Sequence, residues 1–267
     1  MFETAAEASG GEHKRDAMPT MGFLDHLEEL RRRLVYSIAA VAVGFFACWW
    51  KVEKIYDIMQ RPIMDALRAN GMSEKLVYLN PTEPFNLYLK ISALAGLFLT
   101  SPFVLYQVWM FISPGLYRNE KRYVVPFMVS TIALFSAGGY FGYRVVYPQA
   151  LGFLIHFGRQ FQPMITIGEY TSLFLSIILG MGLIFEMPIL IFFLSLMGIV
   201  SAGFMWKNFR YAILLIFIIA AIVTPTPDVL NMCIFAAPMV ALYAFSIGIA
   251  WLVHPKQRRA RKEKQAT

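Results

Sequence analysis

Six apolar stretches constrain this chain more than any other feature: residues 34–50, 85–113, 123–147, 169–198, 209–223 and 229–253. At ~1.5 Å per residue, a helix needs about 20 apolar residues to cross a ~30 Å hydrocarbon core. Backbone inside lipid must satisfy its own hydrogen bonds, so such stretches fold as helices. Only 15% of the 267 residues are charged and 58% are hydrophobic, with mean hydropathy +0.55. That balance excludes an ordinary soluble domain. The expectation is an all-α polytopic membrane protein with six transmembrane helices.

The fifth stretch is the short one. Residues 209–223 end at Thr224-Pro225-Thr226-Pro227-Asp228 and cover only about 22 Å. They can thin the bilayer locally, or form a re-entrant hairpin with the sixth stretch. Either way both termini lie on one side, and positive charge says which. Sixteen of the 24 Lys and Arg residues fall in segments 1–33, 114–122, 199–210 and 254–267; seven fall in the opposite loops, and Lys90 is within the second stretch. That bias predicts an N-in, C-in topology. The net charge of +7 follows from this anchoring and not from nucleic-acid binding.

Around the spans, residues 1–20 are polar and aperiodic, predicting disorder, and 254–267 form a basic cytoplasmic tail. Residues 21–253 make up the membrane domain. In the loop 51–84, Ile55, Ile58, Met59, Ile63 and Leu67 share a helical face, predicting one or two amphipathic helices over the outer surface, broken near Pro62. Prolines and glycines within the spans, including Pro102, Gly138, Gly142 and Pro188, predict bent helices enclosing a concave groove.

No phosphate loop, dinucleotide fingerprint or nucleophile elbow is present. His13, His26, His156 and His254 are scattered, and Cys48 and Cys233 have neither metal nor disulfide spacing. The chain reads as no enzyme, with no cofactor and no metal.

Three acids need another explanation. In FLDHLEELRRRL (Phe23–Leu34), leucines at helical spacing alternate with charges, and Glu28–Arg32 and Glu29–Arg33 can pair four apart. Arg32 and Arg33 suit inside anchors, but anchoring gains nothing from carboxylates. Glu120, in the tight RNEKR loop, poses the same question; a surface pair with Arg118 or Lys121 is the simple alternative, worth less than ~1 kcal/mol. Glu186, in MGLIFEMPIL, is the acid in the middle of a span. It faces a groove or polar partner, or is protonated against a neighbouring helix.

Taken in order, FLDHLEELRRRL, PTEPF (Pro81–Phe85), Ser101–Phe127, FEMPI (Phe185–Ile189), TPTPDVL (Thr224–Leu230) and AAPM (Ala236–Met239) resemble the TatC family, the polytopic core of the twin-arginine protein translocase. The resemblance implies a receptor that binds twin-arginine signal peptides of folded export substrates. It would work in an oligomeric complex with the single-span proteins TatB and TatA in the bacterial inner membrane, driven by the proton-motive force. It assigns Glu29 and Glu120 as carboxylates contacting the signal arginines, with Arg31 and Arg118 orienting them. Glu186 matches an intramembrane glutamate of the concave side. Thr224, Thr226 and Met232 fall in a partner-contacting region, and Pro84 and Phe85 match an outer-loop constriction. TPTPD is longer by one residue than the TPPD form of other members, and Ala244 stands where many have glutamate. Short fifth and sixth spans are a family trait. The alternative is a proton-coupled secondary transporter using Glu186, although one intramembrane acid and no internal repeat argue against it.

Overall fold

A computed structural model describes residues 23–73, 75–112, 124–158, 160–161, 164–196, 198–223 and 229–265. Among them there is no strand, only an isolated parallel bridge between Val77 and Thr166. The chain is an all-α polytopic membrane protein.

Helix α1 (Phe23–Trp49) joins the charged segment to the first span without interruption. The amphipathic α2 (Val52–Ala69) follows, then α3 (Glu83–Ile112). The next rod comprises α4 (Val124–Phe141), a π turn (Gly142–Val146) and α5 (Tyr147–Phe157). Helices α6 (Ile167–Ile184) and α7 (Met187–Leu196) are two halves of a broken rod. A short α8 (Ala202–Lys207) leads to α9 (Phe209–Val223) and the long α10 (Val229–Gln265). Four stretches are long and apolar enough to cross a membrane: Asp25–Trp49, Glu83–Phe111, Ile167–Ser195 and Met232–Leu252; α9 is a shorter apolar helix.

Prolines explain most departures from straight helices. Pro188 has no amide hydrogen, and its ring disfavours a helical Ile184 carbonyl four residues back. The helix accordingly breaks at Phe185 and Glu186 and restarts at Met187. In the third rod the π turn precedes Pro148 and widens the ladder, Tyr147 donating to the Gly142 carbonyl. The rod therefore runs on to Phe157, ten residues beyond the apolar stretch read from sequence.

Pro62 does the opposite of what sequence predicts. Instead of two pieces, α2 is one continuous helix with Pro62 inside it. The reason lies in other elements. The Ile58 carbonyl, which loses its backbone donor to Pro62, accepts the Tyr143 hydroxyl at 2.7 Å. The next carbonyl, of Met59, accepts the Tyr170 hydroxyl at 2.6 Å. In α3 the Ser101 hydroxyl likewise donates to the Phe98 carbonyl, at 2.8 Å, four residues before Pro102. Each such bond contributes ~1 kcal/mol, and leaving the buried Met59 carbonyl bare would cost more. The buried face of α2 (Met59, Ile63, Leu67) then packs into the main core with Leu87, Tyr147, Tyr170 and Ile177.

Helix α1 rests mainly on α3, and its contact is made of bare backbone. A Cβ on Gly96 would stand 2.6 Å from the Phe45 nitrogen, and one on Gly44 would stand 2.8 Å from the Gly96 carbonyl oxygen. Only two glycines allow helices this close. The rest of α1 exposes Leu34, Ile38, Val43 and Phe46, as a lipid-facing surface requires.

Candidate functional site

The close α1–α3 crossing fixes the end of the bundle where α1 begins. There, His26 stacks on Phe111 of α3 with ring centroids 4.4 Å apart. One to two turns further along α1, Glu29 and Arg33 form an ion pair four residues apart: Arg33 Nη2 donates to Glu29 Oε1 at 3.0 Å. Arg33 Nη1 donates to the side-chain Oε1 of Gln107, also at 3.0 Å. Gln107 projects from α3 and is 5% exposed.

This pair is not an ordinary surface bridge. Its side chains are only 17% exposed for Arg33 and 11% for Glu29. Breaking a part-buried pair by removing one partner costs more than the under ~1 kcal/mol of a solvated one, because the remaining charge loses its partner away from water. Even so, Glu29 Oε2 and Arg33 Nε are buried without a hydrogen-bond partner. Beside Glu29 lies an open cavity of about 670 Å³, whose lining includes Asp25, Glu28, Arg31 and Arg32. The arrangement can hold a guanidinium against a carboxylate and offers a second carboxylate oxygen still to be used.

Arg33 is not a solvated inside anchor; it is the cation that holds Glu29. Arg31 is exposed, and no hydrogen bond or ion pair joins it to Glu29. The Glu28–Arg32 pair that spacing allows does not form. Gln107 was missed. A lone amide within the apolar LYQVW segment was the available signal, since a buried amide must find partners. Arg118 and Glu120 lie outside the described residues, as do Thr224 and Thr226.

A second locus sits at the break between α6 and α7. Glu186 is half-buried, flanked on its stripe by Leu183 and Leu190, each more than half exposed. Its Oε1 is buried and has no partner. A carboxyl in such a position is available to a polar group brought by another chain. Towards the opposite end, Met232 is half-buried near the start of α10, next to Cys233 and Ile234, which line an apolar groove of about 460 Å³ against α5. Pro84 lies in the first turn of α3, and exposed Phe85 packs edge-on to Trp49 with centroids 5.9 Å apart. Ala244 is exposed on α10. None of these positions is hydrogen-bonded or ion-paired to Glu29.

Comparison with known proteins gives a consistent result. The sequence model of the family described as Sec-independent protein translocase protein (TatC) matches residues 25–238. The Sec-independent protein translocase protein TatC of Koribacter versatilis is 66% identical over 251 residues, covering 94% of this chain and 93% of that protein. Its counterpart from Aquifex aeolicus is 34% identical over 245 residues, 91% of this chain and all of that one. A crystal structure of a twin arginine translocase receptor, TatC, superposes with TM-score 0.77 at 34% identity, covering 85% of this chain and 99% of that chain.

Proposed function

Because this chain belongs to the TatC family, and is therefore a multi-pass inner-membrane component of a Sec-independent protein translocase, we propose that it is the receptor for twin-arginine signal peptides. The observation that carries this reading is Glu29: a carboxylate held at one end of the bundle, already in contact with a guanidinium, beside an open cavity. Two signal arginines need two acceptors. Glu120 is the second, and Arg31 and Arg118 line the same receiving surface. Arginine presents a planar fork that a carboxylate accepts through both oxygens; lysine supplies the charge without the fork. Each charge-assisted hydrogen bond contributes ~1.5–3 kcal/mol.

The chain crosses the membrane six times with both termini cytoplasmic, the basic residues 254–267 forming the inner tail. In that orientation Glu29 and Glu120 meet signals before export. Glu186 takes a polar side chain from a single-span partner helix of TatB or TatA type. Thr224, Thr226 and Met232 contribute to that partner surface, while Pro84 and Phe85 shape the outer rim. Transport draws on the proton-motive force. The transporter alternative gains nothing from the matches named above, which are to protein translocase components.

The direct test is photo-crosslinking of a twin-arginine signal peptide to the full chain in membranes. Glu29→Ala and Glu120→Ala are each expected to abolish arginine-dependent crosslinks while insertion is retained. Undiminished crosslinking in both variants would remove these two acids from the site.

A further inference from the structure

We propose that Arg33 is an internal stand-in for a signal arginine, closing over Glu29 in the resting receptor and moving aside before a signal guanidinium can bind there. This rests on the reading of Glu29 as a signal-arginine contact.

The geometry is that of an occupied arginine site. A guanidinium that engages a carboxylate fully uses two of its N–H groups on the two oxygens. Arg33 does not. Gln107 takes its Nη1 at 3.0 Å, Nη2 alone reaches Glu29, and only Oε1 is used. Glu29 Oε2 and Arg33 Nε are left buried without partners. Arg33 is thus a one-point occupant of a carboxylate that can accept two points. A free guanidinium entering from the signal can use both oxygens and is the better ligand. The closed arrangement also leaves two buried polar atoms unsatisfied, which lowers the cost of opening it.

Burial is what makes the contact a gate. On a solvated helix face a pair four residues apart exchanges freely with water and blocks nothing. Here both side chains are more than four-fifths buried. Oε2 is buried, and Arg33 holds the other oxygen of the same carboxylate, so an incoming guanidinium must displace Arg33 to use both. Gln107, anchored on α3 and buried, fixes where Arg33 rests when closed. The adjoining cavity, with exposed Glu28 in its lining, is where an incoming cation first meets a carboxylate.

A gate and a positioning residue predict opposite results. A receptor whose competent state is only fractionally populated binds every ligand more weakly by that same fraction. If Arg33 is closed about nine-tenths of the time, its removal lowers Kd about tenfold, equally for arginine and lysine peptides. If Arg33 instead props Glu29 into shape, its removal raises Kd and narrows the arginine–lysine ratio.

The experiment measures anisotropy of a fluorescent twin-arginine signal peptide, and of its twin-lysine counterpart, on the full chain in lipid nanodiscs. Arg33→Gln opens the gate. Arg33→Lys keeps the charge but loses the planar fork that spans Glu29 and Gln107, which separates gating from simple loss of a repelling cation. Expected are a Kd about tenfold lower for Arg33→Gln, a smaller drop for Arg33→Lys, and an unchanged arginine–lysine ratio. An unchanged or raised Kd in Arg33→Lys overturns the proposal, and that variant decides alone if Arg33→Gln does not fold. Glu29→Gln separates the two levels. Lost binding there together with no gain in the Arg33 variants refutes the gate alone, whereas unchanged binding in Glu29→Gln refutes the site and the gate with it.

Discussion

Gly96→Ala tests how the site is built, because Gly96 touches neither Glu29 nor any charged group. Its added Cβ would lie 2.6 Å from the Phe45 nitrogen and 2.8 Å from the Gly44 carbonyl carbon, where ordinary contact begins at 3.4 Å. The obstacle is backbone, which cannot rotate away, so α1 must retreat by about 0.8 Å. Overpacking of this kind costs about 1–3 kcal/mol, equivalent to a melting point lower by about 4–8 °C at the middle of that range. The same displacement carried along α1 lengthens the 3.0 Å Arg33–Gln107 bond past the limit of a useful hydrogen bond. Melting of detergent-solubilised protein by tryptophan fluorescence gives the stability, and signal-peptide anisotropy gives the second effect. Gly152→Ala is the control, since its Cβ meets nothing within 4 Å. If Gly96→Ala melts with the wild type, the claim that backbone contact at this crossing sets the position of α1 is wrong.

Three further outcomes are expected. Tyr170→Phe strips the donor from the buried Met59 carbonyl and should cost about 1–3 kcal/mol by thermal melting; no loss would show that water or a shifted backbone replaces it. Pro62→Ala restores an amide donor to Ile58, so Tyr143→Phe should be nearly neutral in that background yet cost ~1 kcal/mol alone; equal losses in both backgrounds would contradict the proline account of this contact. Glu186→Gln keeps a hydrogen-bonding group in the membrane and should retain disulfide crosslinking to a partner helix, whereas Glu186→Leu should abolish it; retained crosslinking in the leucine variant would count against a polar contact at this position.

Local sequence carried much of the architecture. Apolar length marked the long helices, and Pro188 marked the break beside Glu186, because a missing amide acts within one turn of its own position. Pro62 carries the same chemistry and gave a different structure. Its freed carbonyl is satisfied by Tyr143, 85 residues away from Ile58, and Tyr170 reaches Met59 across 111. No local pattern contains those partners. The site divides in the same way. Glu29 and its pairing with Arg33 were visible as a spacing of four on a helix. The burial of that pair was not, because it depends on α3 lying against α1 at Gly44 and Gly96 and delivering Gln107, 74 residues from Arg33. Spacing made Arg32 and Arg33 look alike, each four residues from a glutamate, and tertiary packing selected one of them.

The central claim is that Glu29 binds arginine through carboxylate geometry and not through charge alone. The measurement that reaches it most directly is the ratio of dissociation constants for twin-lysine and twin-arginine signal peptides on the wild type and on Glu29→Gln. With two charge-assisted bonds at stake, the wild type should favour arginine by about tenfold or more, and the variant should lose most of that preference together with its affinity. A preference that survives intact in Glu29→Gln would contradict the account.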